Sequence, residues 1–411
     1  MCKPLNLSLK KKYLFGTLFL VTSALYFSCD FPYKPVPEPG IVVQNTENAD
    51  SRIRVFQING TDQICNPSIS QDTDRFPGCM LWLNFDGELP VKIPEEFKDF
   101  AGFSSMHDRL TIVDTSNTVR WYVKLDEIDG VSEVYEFQDP EWSTHPEYII
   151  SLLGAANKID GWSCYIFHPQ TGKKLKISNE GLFYNSTPHL WVEKHSTFDG
   201  EPDEVDYDDD SFINSEAVMS YFGTLKVKVV VSKLVGKVQS LYYRDFSDTN
   251  RQLEPLIRPA NRDGWHCESP LISPDGQWIA YNVISGKKYA TYIQKLSTES
   301  KPILFKEGAL DPHWWVHPFD STLLYLIYQE VPGSNLVTGD LADTTYLTTG
   351  ELGKTYRQQL RLFPDTDVEL VALTKIGEPE LLVNLPTKGG LSPDGKYLCT
   401  GFDRAFMVGL P

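Results

Sequence analysis

Short apolar runs separated by turn residues dominate the chain. The runs are rich in β-branched and aromatic residues and are bounded by Gly, Pro, Asp or Asn; examples are MLWLNF (80–85), VRWYVKL (119–125) and YIISLLG (148–154). This pattern is typical of short β-strands joined by tight turns. The chain is therefore predicted to be an all-β protein built from antiparallel strands.

One turn occurs twice, in ISPDGQWIAYN (272–282) and LSPDGKYLCTG (391–401). Pro presets φ and Gly accepts a positive φ, so Ser-Pro-Asp-Gly predicts the tight turn between the first two strands of a repeating unit. Including weaker copies, the units start at Pro67, Ala101, Pro140, Pro188, Pro270, Pro312 and Gly389. The intervals are 34, 39, 48, 82, 42 and 77 residues. Four of them are close to the length of one four-stranded propeller blade.

A single such unit cannot bury both faces of its sheet, whereas a ring of units stacks face to face. We therefore predict a β-propeller over residues 46–411, with seven blades of four antiparallel strands; six or eight blades are the alternatives. The last unit lacks an outer strand, and SRIRVFQI (51–58) is expected to supply it and close the ring. The tryptophans near the turns are expected to pack between blades; they are Trp142, Trp191, Trp278, Trp314 and Trp315.

The two long intervals predict insertions near residues 199–222 and 330–353. Strands are committed to blade packing, so departures from blade length are expected to emerge as loops, where ligand contacts concentrate. We expect these two loops to form the functional surface. The first is strongly acidic but ends in FINSEAVMSYF (212–222), which is apolar enough to fold back on its blade.

The Ser-Pro-Asp-Gly copies resemble the TolB-type, WD40-like propeller repeat, and weaker copies extend the resemblance over most of residues 60–411. TolB itself carries a separate α/β domain before its propeller, and this chain has only a short segment there, so TolB's partner contacts are not transferred. The chain also resembles a paralogous group of propeller lipoproteins of the bacterial envelope.

The N-terminus resembles a bacterial lipoprotein signal. Lys3 and Lys10–Lys12 precede an apolar stretch, Leu14–Phe27, that is shorter than the roughly 20 residues of a spanning helix. Ser28 then precedes Cys29, which the resemblance makes the lipidated first residue of the mature chain. Tyr26 and Phe27 are bulkier than usual for such a signal, and a secretory signal cleaved elsewhere is the alternative. Residues 1–28 are thus predicted to be removed, and the Pro-rich residues 29–45 to form an extended tether.

Charge restricts the partners. The 411 residues hold 38 Lys and Arg against 55 Asp and Glu, a net charge of −17, and loss of four lysines with residues 1–28 changes this to −21. Nucleic acids, anionic lipid surfaces and polyanionic glycans need basic clusters, so the acidity of the chain argues against them as partners. We expect a monomer that touches a membrane only through its lipid, in the bacterial envelope, facing the periplasm or the cell surface.

Five cysteines follow Cys29, an odd number, so at least one has no partner within the chain. Cys65 and Cys79 are the only close pair and form the candidate disulfide. All but Cys65 and Cys267 lie in strand-like runs, where a cysteine is interpreted as a small buried apolar residue.

Candidate catalytic and metal-binding chemistry is sparse. No Gly-x-Ser-x-Gly motif is present, which argues against a serine hydrolase. Asp206, Asp208 and Asp210 alternate as in a calcium loop, but Ser211 stands where the loop needs Gly and Ala217 where it needs Glu. A solvated acidic loop is the main interpretation, and bound calcium is the alternative.

Three histidines form a second candidate metal site. His189 and His313 each follow a proline at the same place in the repeat, and with His266 they are predicted to converge on the mouth of the channel. Some WD40-like propellers are lyases that hold a divalent metal with histidines. The main functional prediction is a non-catalytic envelope lipoprotein, without a cofactor, that binds a protein or glycan partner. The alternative is a metal-dependent polysaccharide lyase or hydrolase that uses these histidines.

Overall fold

The computed structural model describes most of the chain after residue 53. The described residues are 54–57, 64–84, 91–100, 107–128, 131, 135–155, 161–179, 187–194, 212–248, 252–285, 288–330, 353–362, 373–383, 387, 389–401 and 405–410. Cys29, the tether, Asp206, Asp208, Asp210 and nearly all of 330–353 lie outside these ranges.

Five four-stranded antiparallel sheets follow one another along the chain, each with its strands in sequence order. Blade 1 contains β2 Ile64–Ile69, β3 Met80–Asn84, β4 Arg109–Val113 and β5 Val119–Lys124. Blade 2 contains β6 Tyr135–Trp142, β7 Ile149–Ala155, β8 Trp162–His168 and β9 Lys173–Lys176. Blade 3 contains β10 His189–Val192, β11 Val227–Val235, β12 Val238–Asp245 and β13 Glu254–Pro255.

Blade 4 contains β14 His266–Ile272, β15 Trp278–Ser285, β16 Lys288–Lys295 and β17 Ile303–Glu307. Blade 5 contains β18 Ala309–Val316, β19 Leu324–Glu330, β20 Lys354–Leu362 and β21 Leu373–Val383. The described helices are α1 Ser215–Phe222 and three short 3₁₀ segments, Glu95–Phe100, Leu125–Glu127 and Ala260–Arg262. In these ranges no helix combines the length and the apolar character that crossing a membrane requires.

A sixth sheet has three strands and joins the two ends of the described chain. It contains β22 Tyr397–Gly401, β23 Ala405–Gly409 and, at its outer edge, β1 Arg54–Gln57. Arg54 lies opposite Gly409 and Gln57 lies opposite Phe406 in an antiparallel ladder. On the inner side a single bridge between Leu391 and Leu398 stands where the other sheets have a strand. The predicted pairing of the N-terminal strand with the last unit is therefore confirmed.

The prediction of seven blades is wrong: the described residues form five complete blades and this three-stranded sheet. The error lies at Ala101, taken as the start of a unit. Arg109–Val113 is the third strand of blade 1, not the first strand of a new blade. A long connection between β3 and β4, which includes the 3₁₀ segment Glu95–Phe100, makes blade 1 long enough to resemble two units.

Hydrogen bonds join every neighbouring pair of sheets near their first strands. From blade 1 round to the sixth sheet and back, they are Ser68 Oγ to Glu141 (2.5 Å), Thr144 N to Leu190 O (3.3 Å), Ile272 N to His189 Nδ1 (3.0 Å), Asp311 N to Asn282 Oδ1 (3.1 Å), Trp315 Nε1 to Ser392 O (3.0 Å) and Ile69 N to Gly389 O (2.9 Å). The sheets therefore form a closed ring with their first strands innermost.

The repeated turn has a second role beyond chain reversal. In both copies the Ser Oγ donates to the Asp carboxylate and accepts the backbone N–H five residues later, as in Trp278 N to Ser273 Oγ at 2.9 Å and Tyr397 N to Ser392 Oγ at 2.9 Å. Gly276 has φ +71°, and a Cβ there would lie 2.6 Å from the ring of Trp191 on the preceding blade. The glycine thus makes room for an inter-blade tryptophan, as predicted for Trp191.

The antiparallel strands place successive connections at opposite ends of each blade. The turns between first and second strands lie together on one face, which we call the turn face; their described residues are 70–79, 143–148, 193–194, 212–226, 273–277, 317–323 and 392–396. The acidic insertion interrupts such a turn, between β10 and β11. The second insertion joins β19 to β20 and therefore leaves the ring on the opposite face. The described ends of the two insertions therefore lie on opposite faces of the ring.

The end of the acidic insertion folds back on the ring, as the sequence predicts. The Asn214 side chain caps α1 by accepting the Ala217 N–H at 2.9 Å, and Gly223 ends the helix with φ 67°. Val218 and Phe222 are fully buried in a cluster with strands of blades 2 and 3. This segment is part of the core.

The predicted Cys65–Cys79 disulfide is not formed. Cys79, Cys164, Cys267 and Cys399 are buried, and none of these four is in a disulfide. Cys65 lies opposite Leu83, whereas Cys79 precedes Met80 at the other end of the same strand. At about 3.3 Å per residue this offset far exceeds the reach of a disulfide.

Candidate functional site at the mouth of the channel

The first strands of four blades share a bulge. In β2, β6, β14 and β18 two residues oppose one on the neighbouring strand, so each contains one extra residue. In β6, β14 and β18 the extra residue precedes a proline and has a positive φ: Asp139 (46°), Ser269 (50°) and Asp311 (48°). A bulge changes the direction in which the following side chains point. Here it precedes the residues that surround the ring axis.

A cavity of about 370 Å³ lies on the turn face, at the mouth of the central channel. It is lined by residues from all six sheets: Gln71; Glu141, Trp142, Ser143, Thr144 and Pro146; His189 and Lys194; Leu271, Ile272 and Pro274; His313, Trp314, Trp315 and Val316; and Pro393. This volume is at the lower end of the roughly 300–1,000 Å³ typical of ligand sites. It suits a small ligand or a single protruding side chain.

His189, one of the predicted metal ligands, lies in the cavity wall and joins three blades. Its Nδ1 accepts the Ile272 N–H of blade 4 at 3.0 Å, and its ring also bonds the backbone of Trp142 in blade 2. Burial, and then the nearby His313, lower the pKa of His189 to about 3. The ring is therefore neutral at physiological pH, and both sides of it are engaged within the protein.

His313 lines the same cavity. Its Nδ1 lies 3.1 Å from the Asp311 carbonyl, and burial lowers its pKa to about 4. The ring rests against Gly390, where a Cβ would come within 2.7 Å of Cδ2. His313 thus packs between blade 5 and the sixth sheet, while its buried Nε2 makes no hydrogen bond within the described structure.

His266 lies apart from the other two histidines. It opens β14, whereas Ile272 at the other end of that strand lines the cavity. Seven residues of strand separate these ends by roughly 20 Å. The structure therefore brings together two of the three histidines, and among the residues it describes no group of three or more His, Cys, Asp or Glu side chains is arranged to hold a metal ion.

Carboxyl groups surround the channel below the cavity. Glu141 lines the cavity itself, and burial raises its pKa to about 8 against the lowering effect of the Ser68 hydrogen bond. Burial, with Asp139 and Asp311, raises the pKa of Glu268 to about 8. Asp311 accepts from the side chains of Asn282 and Gln329, at 3.3 and 2.6 Å. The channel therefore contains several carboxyl groups that are largely removed from water.

One apolar side chain stands out on the turn face. Phe319, between β18 and β19, is 93 % exposed. Its N–H donates to His317 Nδ1 at 3.3 Å, and Asp320 accepts from the Thr322 backbone and hydroxyl at 3.0 and 2.6 Å. The turn is thus ordered by its own polar groups and presents the phenyl ring to solvent, as residues at protein interfaces do.

Sequence reasoning missed Glu141 and the acidic channel. The signal was present, because Glu141 follows Pro140 at the repeat position that His189 occupies in blade 3 and His313 in blade 5. Comparing that position across all units identifies the residues nearest the axis. Because only histidines were considered at this position, the Glu141 carboxyl was not predicted as part of the site.

The fold and ring closure define the chain as a β-propeller, and its structural neighbours include TolB and other WD40-like propellers. TolB from Acinetobacter baumannii is similar at a TM-score of 0.40 and 13 % identity, over 82 % of this chain and 64 % of TolB. The chain thus spans just under two thirds of the TolB chain.

Two further solved structures show the same likeness. Oligogalacturonate lyase from Vibrio parahaemolyticus gives a TM-score of 0.39 and 12 % identity over 88 % of this chain and 95 % of the lyase. The Myceliophteria thermophila Cps50 (Swd1) propeller domain gives 0.36 and 10 % over 85 % and 100 %. No family model and no curated protein sequence matches the chain. These likenesses concern the fold alone.

Proposed function

We propose that this chain is a non-catalytic binding propeller that receives a protein or glycan partner on its turn face, over the mouth of the channel. The observation that carries the proposal is the cavity to which all six sheets contribute lining residues. The ordered turn around Phe319 lies on the same face and offers a second contact. Concave sites assembled from loops on a rigid scaffold are typical of ligand binding.

The polar groups of the cavity support binding rather than catalysis. His189 bonds two neighbouring blades, and Glu141 accepts the Ser68 hydroxyl of blade 1 at 2.5 Å. The indole N–H of Trp315 is bonded to Ser392 O. These groups stabilise the ring, because their hydrogen bonds connect neighbouring blades. A reaction that used the same groups would have to break those hydrogen bonds.

We place this function at the bacterial envelope, with the propeller held by a lipid on Cys29. The basic residues, the short apolar stretch and Ser28 before Cys29 support this proposal. The net charge of −17 offers no attraction to an anionic membrane surface.

Photo-crosslinking tests which face binds. A photoreactive phenylalanine analogue replaces Phe319 on the turn face, and in a matched variant it replaces Val235, which is 47 % exposed at the β11–β12 turn on the opposite face. In intact envelopes we expect discrete adducts from position 319 and none from position 235. Adducts from position 235 alone, or from neither position, would overturn the assignment of the turn face.

The metal-dependent lyase or hydrolase is the second candidate, because His189 and His313 line one cavity. Metal analysis of the purified full chain separates the two. Stoichiometric manganese, zinc or iron that is lost in a His313→Ala variant would favour the enzyme. The binding function predicts metal below stoichiometry in both proteins.

A further inference from the structure

The cavity walls are apolar and held in fixed positions. Each tryptophan that lines it donates its indole N–H to a backbone carbonyl: Trp142 to Pro146 O (3.0 Å), Trp314 to Leu271 O (2.8 Å) and Trp315 to Ser392 O (3.0 Å). Pro274 and Pro393 complete the rim. Because the indole donors are already used, the walls offer ring surface and little hydrogen bonding. They suit an aliphatic stem or a flat guanidinium.

Carboxyl groups lie beneath these walls, and Glu141 is the one carboxyl among the residues that line the cavity. The raised pKa values of Glu141 and Glu268 arise from burial and from Asp139 and Asp311, and no Lys or Arg of the described chain contributes to either shift. A positive group entering from the turn face would therefore reach the Glu141 carboxyl and favour its ionised form.

The groups that face Glu141 from the neighbouring strands are neutral or acidic. Ser68 of β2 is neutral, and burial keeps His189 of β10 and His313 of β18 uncharged, with pKa values of about 3 and 4. Asp139 of its own strand and Asp311 of β18 add negative charge. Lys194 is the one Lys or Arg among the residues that line the cavity, and it is exposed at the rim, where solvent and salt screen its charge.

We infer that the cavity receives an arginine or lysine side chain presented by a partner polypeptide, with its stem along Trp314 and Leu271 and its charged head directed at Glu141. This inference rests on the proposed function and names the chemistry of the partner. Electrostatic complementarity of this kind sets the specificity and the rate of association.

A polypeptide fits better than a free amine or a sugar. Phe319 gives the surface beside the cavity an apolar contact, and the polar groups of its turn bond one another. A sugar would find few free partners for its hydroxyls there, and an acidic sugar would be repelled by the channel. A protein surface buries the phenyl ring while its basic side chain enters the cavity.

The test compares two capped peptides that differ only in charge, Ac-Gly-Arg-Gly-NH₂ and the citrulline counterpart Ac-Gly-Cit-Gly-NH₂, by calorimetry on the full chain. We expect the arginine peptide to bind at least about tenfold more tightly. Binding should release a proton, seen as a heat that depends on the ionisation enthalpy of the buffer, because the arriving cation ionises Glu141. Affinity should rise between about pH 6 and pH 9.

Two variants make the test specific. Glu141→Gln should abolish the preference for arginine and the proton release, whereas Asp320→Asn, which removes an exposed carboxylate of the same face, should leave both unchanged. Equal affinity for the two peptides, no binding of either, or a preference that persists in Glu141→Gln overturns the inference. Agmatine bound as tightly as the arginine peptide would overturn its polypeptide part. The crosslinking from position 319 does not depend on a cation, so it reports on the proposed function separately.

Discussion

Contacts with the neighbouring blade can restrict the residue type at a position of this ring as much as the local backbone conformation does. Gly276 has a positive φ and also lies against Trp191, so two requirements coincide at one position. Gly236, in the β11–β12 turn, has φ +64° and no atom within 4 Å of an added Cβ. The two glycines therefore separate backbone strain from inter-blade packing.

Gly276→Ala should lower the free energy of unfolding more than Gly236→Ala does. Both variants incur the roughly 1–2 kcal/mol of a left-handed alanine. At position 276 the new Cβ also overlaps Trp191, which adds about 1–3 kcal/mol of overpacking. Urea denaturation measures both losses. Equal losses, or an excess at 276 that persists when Trp191 is also changed to Val, would contradict this role of the tryptophan.

Buried carboxyls predict an unusual dependence of stability on pH. The folded-state pKa values of Glu141 and Glu268 are about 8, above the ordinary 4.5, so the folded protein retains protons that the unfolded chain releases. Their contribution is fully present below about pH 4.5 and is lost as the pH rises towards 8. Glu141→Gln with Glu268→Gln should flatten the fall in unfolding free energy between pH 5 and 8. An unchanged slope would show that these groups ionise freely in the fold.

Among the elements, α1 is the least typical of a propeller and is nevertheless part of its core. Phe222 is fully buried between blades 2 and 3, whereas Met219 of the same helix is 44 % exposed. Phe222→Ala should lower the unfolding free energy by about 3–5 kcal/mol, and Met219→Ala by well under half of that. Thermal and urea denaturation of the two variants measure the difference. A comparable effect at both positions would mean that α1 packs only loosely.

The acidic residues ahead of α1 are predicted to behave differently. Removal of Asp203–Ser211, which lies outside the described residues, should leave the unfolding free energy nearly unchanged, since solvated acids contribute little to a core and their repulsion is relieved. It should weaken partner binding on the turn face. Unfolding of the deletion variant would assign this segment a structural role.

β1 is a second short element that we expect to stabilise the whole ring. It is four residues long and pairs along its whole length with β23 at the outer edge of the sixth sheet. Deleting residues 51–58 should lower the melting temperature because it leaves β23 without its outer partner. Deletion of residues 46–50 is the matched control and should have little effect. Identical melting of both deletions and the parent would contradict the closing role of β1.

Turn and strand chemistry predicts much of this fold, but the number of blades depends on tertiary connections. The Ser-Pro-Asp-Gly copies and the N-terminal strand identify the repeat and its closure. The start assigned at Ala101 fails because alternating apolar residues mark a strand without stating its place in a blade, and Arg109–Val113 is a third strand. The cavity could be predicted only in part: His189 and His313 share a register with Glu141, while His266 sits at the opposite end of its strand.

At the scale of the whole molecule, the ring presents two different faces to its surroundings. The turn face carries the cavity, Phe319 and the start of the acidic insertion, while the opposite face carries the connection that begins after Glu330. If a lipid on Cys29 holds the ring at a membrane, Cys29→Ser should move the protein to the soluble periplasmic fraction. Retention in the membrane fraction would point to an uncleaved N-terminal segment.

The most direct test of the account is whether blocking the turn face abolishes binding. Cysteines introduced at positions 319 and 235, each coupled to a polyethylene glycol chain, mask the turn face and the opposite face in turn. The native Cys79, Cys164, Cys267 and Cys399 are buried, and the parent protein treated with the same reagent is the control for background coupling. Retention of the partner crosslinked from position 319 is then measured on each immobilised protein. The account predicts at least about a tenfold loss when position 319 is masked and none when position 235 is masked. Full retention with position 319 masked, or loss only with position 235 masked, would contradict it.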